Sequence, residues 1–197
     1  MSNTERWTDR AAIGELMQGW MYRDLGQWGR LRGLFHPEGT IAVTWFEGRF
    51  ADFVNGSMSM GASDFRSKHL IGTPLITFNH HKALAETNAI IVGESKELRL
   101  GCNVHARFVD RVEHRDGRWG LVKRACVYDF GAFTFPFGPV AIDDARVESY
   151  PREYAALAYL LESAGFPLRR VFPTRGSEQE RALKDADCFW LNSTTSP

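Results

Sequence analysis

This chain of 197 residues has few cysteines, no excess of charge of either sign and no long apolar run. Its three cysteines, Cys102, Cys126 and Cys188, have neither the spacing of a zinc site nor that of a redox pair. They predict small buried thiols and a reducing, cytoplasmic setting. The 24 basic and 24 acidic residues cancel. Because a nucleic-acid-binding protein normally carries a basic excess, we expect no nucleic-acid partner.

No apolar run approaches the roughly 18 residues that a membrane helix needs. The N-terminal MSNTERWTDR is polar and lacks the apolar core of a signal peptide. We therefore expect no membrane partner. The sequence contains none of the common catalytic or nucleotide-binding motifs: GxSxG, HExxH, the P-loop and the dinucleotide-binding fingerprint. We therefore expect no cofactor. No metal is expected either, because the adjacent His80 and His81 point to opposite sides of an extended chain and chelate one ion poorly.

What the chain does contain is an apolar stripe that ends at an acid. The stripe has helical spacing and predicts one helix face packed on a core: Ala12, Ile13, Leu16, Met17, Trp20 and Met21. Asp24 follows directly. A carboxylate is unfavourable at a helix C-terminus, and it is costly near a core unless it is paired. Asp24 is therefore expected to have a partner.

β-branched and aromatic segments predict strands at residues 40–46, 83–92, 98–112 and 119–130. We expect a turn at 48–50, a loop with a short helix at 51–66 and extended chain at 67–78. Asp116-Gly117 is a strong hairpin signal. Strands joined by short turns form a curved, mostly antiparallel sheet, and the preceding helices must cover one face. The predicted class is α+β.

Alternation within the strands predicts which side chains face the helices. Leu98, Leu100, Cys102, Val104, Ala106 and Phe108 form the inner row of one strand, and Arg99, Gly101, Asn103, His105 and Arg107 form the outer row. On the next strand the inner row is Val122, Arg124, Cys126, Tyr128 and Phe130. Arg124 is the odd member of an apolar row. It is either paired with an acid or available to an anionic group.

The C-terminal part has a different character. Phe133, Phe135 and Phe137 alternate beside prolines and glycines, which predicts an irregular aromatic lid or latch. Helices are expected at 150–164 and from 177 to 190, the second opened by a capping box of Ser177 and Glu180. We predict one α+β domain over residues 1–140, with a helical extension of residues 141–197 packed on it.

Several short motifs together resemble the nuclear-transport-factor-2-like superfamily, in its SnoaL-like branch with scytalone dehydratase and γ-hexachlorocyclohexane dehydrochlorinase. The resemblance spans roughly residues 5 to 135, and the motifs that carry it are Arg10-Ala11-Ala12-Ile13, Asp24, Gly29-Arg30-Leu31, His69, Gly72-Thr73 and Asp116-Gly117-x-Trp119. It implies a cone of curved sheet capped by helices, with a pocket inside.

The resemblance also implies the site. The family's catalytic Asp and His correspond to Asp24 and His69, and a dehydrochlorinase-like arginine corresponds to Arg124. The pocket lining is expected to be Tyr22, Trp45, Ile90, Val104, Ala106, Cys126 and Tyr128. In this scheme His69 removes a proton, Asp24 orients the ring and stabilises the imidazolium, and Arg124 steadies developing negative charge. The apolar walls suit a hydrophobic, cyclic substrate.

The chain departs from scytalone dehydratase-like enzymes next to the acid. They have a tyrosine directly before the aspartate, whereas here Arg23 intervenes and Tyr22 is one place earlier. Their second catalytic histidine has no counterpart, because His105 belongs to the outer row. Dehydration by their particular route is therefore in doubt, while an Asp–His base is not.

Three classes of function remain at this point. The first is a cofactor-independent lyase or isomerase with an Asp24–His69 base. The second is a non-catalytic protein that binds a hydrophobic small molecule, and the third is a structural subunit, as are the β subunits of ring-hydroxylating dioxygenases in this superfamily. The Asp24–His69 pair could also be purely structural, and Arg124 could be one partner of a structural salt bridge. We expect a homodimer or homotrimer through the outer sheet face or the C-terminal helices.

Overall fold

The computed structural model describes residues 3–193, in which helices precede and follow a block of strands. The helices are α1 (Asn3–Gln18), α2 (Met21–Asp24), α3 (Trp28–Arg32), α4 (Phe50–Gly61), α5 (Asp144–Glu148), α6 (Ala155–Ser163) and α7 (Glu178–Asn192). The strands are β1 (Phe35–Val43), β2 (Phe46–Arg49), β3 (Phe65–Ile71), β4 (Leu75–Asn79), β5 (Lys82–Ser95), β6 (Leu100–Arg115) and β7 (Arg118–Thr134). Within the described range, no helix combines the length and the apolar character that a membrane span requires.

The strands form one mixed, curled sheet in the order β2-β1-β7-β6-β5-β3, with β4 also paired to β5. β1 and β7 run parallel, and the other pairs are antiparallel. Asp116 and Gly117 make the predicted hairpin turn between β6 and β7, with φ values of 50° and 78°. Two positive φ angles are what a type I′ turn requires. The predicted α+β class is confirmed.

Inner and outer faces alternate along β6 as predicted, but β7 differs at both ends. Arg124, Cys126 and Tyr128 are buried on the inner face. The register with β6 shifts at Val122 and again at Asp129, so each is an extra, unpaired residue. A bulge reverses the parity beyond it. Phe130 is therefore on the outer face, 51% exposed, and its ring stacks on His105 with the centroids 4.2 Å apart.

Residues 46–66 are more regular than the sequence suggested. The turn expected at residues 48–50 is instead the end of β2 and the start of α4, and α4 occupies most of the expected loop. Its buried residues recur at helical spacing, at Phe50, Phe53, Val54, Ser57 and Met60. Gly56 and Gly61 lower the intrinsic helix propensity, so burial of this stripe is what stabilises the helix.

The C-terminal helices pack on opposite faces of the sheet. α6 begins at Ala155 rather than 150, after a turn at 152–154, and packs its buried Leu157 and Leu161 on the inner side. α7 lies on the outer face, where its Glu180 and Asp187 accept hydrogen bonds from Arg107 and Arg111. The region expected to meet solvent or another subunit is thus partly covered by the chain's own helix.

Two local predictions for this region have different outcomes. The N-cap half of the capping box is present, because the Ser177 hydroxyl accepts from the Glu180 N–H at 3.1 Å. The Glu180 carboxylate accepts from the N–H of Gly176 at 2.7 Å, one residue before the N-cap, while the N–H of Ser177 donates to the Thr174 carbonyl. The aromatic segment is not a lid, because none of its three phenylalanines lines the cavity described below, and within residues 3–193 only Phe133 has a ring contact with a helix. Phe133 packs on Tyr159 of α6, and Phe135 and Phe137 are exposed. α6 covers the cavity instead, through Leu157 and Leu161, which line it.

Candidate active site

The end of α2 and the middle of β3 bring an acid and a histidine together. The Asp24 Oδ1 atom is 2.7 Å from His69 Nδ1, and Asp24 Oδ2 accepts the main-chain N–H of His69 at 2.7 Å. Both side chains are almost fully buried, at 3% and 7% exposure. The edge of the His69 ring meets Trp20, with ring centroids 5.9 Å apart and an interplanar angle of 86°. One carboxylate thus holds both the ring and the strand that carries it.

The carboxylate selects the tautomer of the histidine. A neutral imidazole has one N–H, and Nδ1 must carry it in order to donate to Asp24. Nε2 is then left with its lone pair. No hydrogen bond to Nε2 occurs within residues 3–193. His69 lines a cavity, so this nitrogen is the atom available to a bound molecule.

The pKa values of the pair favour a neutral histidine beside an ionised acid. Burial lowers the pKa of His69, the hydrogen bond to Asp24 raises it, and nearby Arg23 lowers it again, which leaves the pKa below its ordinary value. For Asp24, burial acts to raise the pKa, but the hydrogen bonds from His69 outweigh burial and the pKa is lowered. At neutral pH His69 is therefore able to accept a proton.

The cavity beside His69 is narrow, about 40 Å³, and largely apolar. Of the residues expected to line it, Trp45, Cys126 and Tyr128 do so. Burial raises the pKa of Cys126 to about 12, so this thiol stays neutral and serves as wall. The Tyr128 hydroxyl is already engaged, because it accepts the main-chain N–H of Thr44 at 3.1 Å.

Four other residues expected in the lining lie elsewhere. Ile91, not Ile90, lines the cavity, because neighbouring side chains of a strand point to opposite faces. Val104 and Ala106 are on the inner face but are packed away from the open space. Tyr22 faces a separate groove between α1 and the β6–β7 turn, with the Arg30 guanidinium 4.3 Å above its ring.

Arg124 is close to the pair but sealed away from the cavity. Its Nε and Nη2 atoms each donate to Asp110 at 2.8 Å, and both side chains are 0% exposed. The guanidinium packs against the rings of both Trp20 and Phe108, 4.7 and 4.2 Å from their centroids. Because no open space touches it, a bound molecule cannot reach it. The expectation that Arg124 steadies charge on a substrate is therefore corrected: here it is one half of a buried ion pair.

Sequence reasoning missed several residues that do line the cavity. Arg23 supplies a positive charge to the cavity wall. Its position directly before Asp24, where scytalone dehydratase-like enzymes have tyrosine, was the clue in the sequence. Leu157 and Leu161 come from α6, and their spacing of four residues was the available clue. Asp110 was also missed as the partner of Arg124, although it continues the inner row of β6 two residues beyond Phe108.

A second, larger cleft of about 210 Å³ adjoins the cavity on the outer side of Arg23. Arg23, Phe65 and Ser67 line both spaces, and Asp24 lines only the outer one. His69 therefore faces the inner cavity while its orienting carboxylate faces the cleft. Among the described residues, no group of three or more His, Cys, Asp or Glu side chains could hold a metal ion.

A curled mixed sheet packed on helices is the architecture of nuclear-transport-factor-2-like proteins. The SnoaL-like domain family matches residues 5–125. This match covers more than half of the chain, which therefore belongs to the SnoaL-like domain family.

The similar proteins agree with this assignment. A PEP2-like protein of Fusarium vanettenii is 30% identical over 165 residues, an alignment that covers 79% of this chain and 70% of the relative. The LinA-type3 hexachlorocyclohexane dehydrochlorinase of Novosphingobium barchaimii superposes with a TM-score of 0.60 at 20% identity, over 72% of this chain and 100% of that chain. A scytalone dehydratase-like protein of Novosphingobium aromaticivorans gives 0.59 at 16% identity, over 71% and 95%. At these identities the two structures establish the fold alone.

Proposed function

We propose that the protein is a cofactor-independent lyase or isomerase that uses His69 as a general base and Asp24 as its orienting partner. The observation that carries the proposal is the 2.7 Å hydrogen bond between Asp24 and His69 Nδ1, which leaves Nε2 facing an apolar cavity. A structural subunit has no need for this contact, and a simple binding protein needs the cavity but not the tautomer. The pair therefore favours catalysis over both alternatives.

The proposed step is removal of a proton from carbon. His69 Nε2 takes the proton, and the electron pair of the broken C–H bond forms a carbon–carbon double bond. In an elimination, the bond from the neighbouring carbon to oxygen or halogen breaks, and the leaving group departs with its electrons. In an isomerisation, a double bond already present next to that carbon breaks, and its electron pair takes the proton back from the imidazolium at the far carbon. The Asp24 carboxylate stabilises the imidazolium in either case.

The shape of the site supports a hydrophobic, cyclic substrate. The cavity wall consists chiefly of aromatic and aliphatic side chains, which suit an apolar molecule. A cavity of about 40 Å³ holds only the reacting end of such a molecule. The remainder would extend past Arg23 toward the larger outer cleft.

The assembly of the protein stays a prediction. α7 covers the outer face around Arg107 and Arg111, but Asn103 and Phe130 remain exposed beside it. We propose that this uncovered part of the outer face is where a homodimer or homotrimer would form.

The role of His69 as a base can be tested by the exchange of deuterium from the solvent into a simple ketone, which takes the place of the unidentified substrate. 3-Hydroxycyclohexanone has an acidic C–H next to its carbonyl group and a hydroxyl group that can leave as water. In deuterated buffer, the wild-type protein is expected to accelerate C–H exchange or formation of the unsaturated ketone, followed by mass spectrometry. His69→Ala should lower the rate by roughly 10²–10⁴.

The matched control is His105→Ala, which removes a histidine from the opposite face of the sheet and should leave the rate unchanged.

Asp24→Asn, like His69→Ala, should lower the rate, because both oxygens of Asp24 are acceptors and an amide can replace only one of them. Exchange that persists at the wild-type rate in His69→Ala would overturn the proposed base. A thermal melt of each variant separates loss of activity from loss of folding.

A further inference from the structure

Arg23 is a buried cation whose hydrogen bonds go to neutral partners. Its side chain is 8% exposed. Nη1 donates to the Ser67 hydroxyl at 2.8 Å, and Nη2 donates to the Met60 sulfur at 3.3 Å. Burial lowers the pKa of this guanidinium, and the charge of Asp24 opposes that effect. A guanidinium in such a position normally has a carboxylate or phosphate on its planar fork.

The adjacent acid does not supply that group. Asp24 Oδ1 is 3.8 Å from Arg23 Nη1, which is beyond hydrogen-bond distance. Both oxygens of Asp24 are already occupied by the ring and main chain of His69. Arg124 shows the alternative arrangement in the same protein, since two of its nitrogens contact one dedicated carboxylate at 2.8 Å. Arg23 is nearly as buried as Arg124, at 8% against 0% exposure, but has no acid bonded to it in this way.

Arg23 also stands where a ligand can reach it. It forms the wall between the inner cavity of about 40 Å³ and the outer cleft of about 210 Å³. The charged residues among those that line the outer cleft are Arg23, Asp24 and Arg66, so the cleft carries one more positive than negative charge. Arg66 donates to the main-chain carbonyls of Gly61 and Ser63. The cleft therefore attracts an anion, although Asp24 repels it in part.

We propose that Arg23 is an anion-recognition residue that binds the carboxylate of a small organic acid, with the body of the acid extending toward His69. Carboxylate matches the planar fork of the guanidinium better than a spherical anion does. As a statement about the substrate, the inference rests on the proposed function. It would make the substrate a carboxylic acid with an acidic C–H, rather than a neutral hydrocarbon ring.

The probes are benzoate and benzamide, which have nearly the same shape and differ in charge. Titration calorimetry on the wild-type protein is expected to show benzoate binding roughly ten- to hundredfold more tightly than benzamide, as hydrogen bonds to a charged group are worth about 1.5–3 kcal/mol. This comparison needs no variant. Equal binding of the two probes, or binding of neither at millimolar concentration (about −4 kcal/mol), would overturn the inference.

The variants assign the effect to one side chain. Arg23→Gln should abolish the preference for benzoate, and Arg23→Lys should keep only part of it, because an ammonium cannot donate two parallel bonds. Arg32→Gln is the matched control, since Arg32 is an exposed arginine that contacts Asn55 outside both spaces. A preference that survives in a folded Arg23→Gln variant would contradict the proposal.

His69→Ala separates this inference from the proposed catalysis. The variant should bind benzoate with the wild-type preference, because Arg23 and Ser67 are unchanged. If the preference is present while the wild-type protein catalyses no exchange, the anion site stands and the proposed base fails. If exchange occurs without the preference, the base stands and the anion site fails.

Discussion

Two buried arginines of this protein differ in what their neighbouring acids do. Asp110 directs both of its oxygens to Arg124, and the pair is sealed in the core. Asp24 directs both of its oxygens to His69, and Arg23 is left at the cavity wall with neutral partners. The first arrangement neutralises a charge, whereas the second prepares a histidine and leaves a cation available. Burial alone therefore does not distinguish an arginine paired with its own acid from one that contacts neutral partners.

The energetic consequence follows from the partner that a substitution leaves behind. Removing Arg124 strands a fully buried carboxylate, and removing one member of a buried pair typically costs about 3–5 kcal/mol. Removing Arg23 strands no acid, because Asp24 keeps its bonds to His69. The same substitution should therefore cost much more stability at Arg124 than at Arg23.

The largest expected effect is therefore the stability of Arg124→Leu. We expect it to lower the free energy of unfolding by roughly 3–5 kcal/mol, measured by urea denaturation. Arg23→Leu, the matched substitution at the other site, should cost much less. Equal losses in the two variants would mean that Arg23 depends on Asp24 as strongly as Arg124 depends on Asp110, and the comparison would fail.

The second expected effect is on the pKa of His69, measured by the chemical shift of its ring proton against pH. Arg23→Gln should raise this pKa, because the positive charge of Arg23 lowers it. Asp24→Asn should lower it, because the hydrogen bond and charge of Asp24 raise it. Shifts in the same direction in both variants would contradict the charge arrangement of the site. Arg32→Gln should leave the pKa of His69 unchanged, since its guanidinium is exposed at Asn55.

The pKa of His69 also determines how the stability and the activity of the protein depend on pH. In the folded protein it lies below the ordinary value of 6.5, so the neutral ring is favoured on folding. Its contribution to stability is complete above pH 6.5 and is lost as the pH falls from there through the folded pKa. Activity that depends on a neutral base should disappear over the acid limb of the same titration.

The smallest expected effect is that of replacing both members of the sealed pair. Asp110→Leu combined with Arg124→Met removes both charges together, so no ion is stranded. Such replacements are often neutral or stabilising by about 1–4 kcal/mol. The double variant should therefore recover most of the loss seen in Arg124→Leu. Failure to recover would indicate that the shape of the pair, rather than its charge, holds the core.

Much of the site could be predicted locally, and the reasons are specific. Asp24 stood at the end of an apolar helical stripe, where an unpaired acid is costly, and the structure supplies His69 as its partner. The inner row of β6 followed from strict alternation. The prediction failed where alternation itself fails, at the β7 bulges at Val122 and Asp129. The second bulge also turns Asp129 toward Arg107, 2.7 Å away, on the outer face.

The sequence by itself determined the α+β class, the hairpin at Asp116-Gly117, the cap at Ser177 and the need of Asp24 for a partner. Each of these depends on residues that act within a few positions of one another, or on a periodicity that a short segment displays. Only the tertiary structure decided that Arg124 belongs to Asp110, that Arg23 faces the cavity and that α6 closes it. Those outcomes depend on strand register and on the packing of distant segments, which local periodicity does not specify.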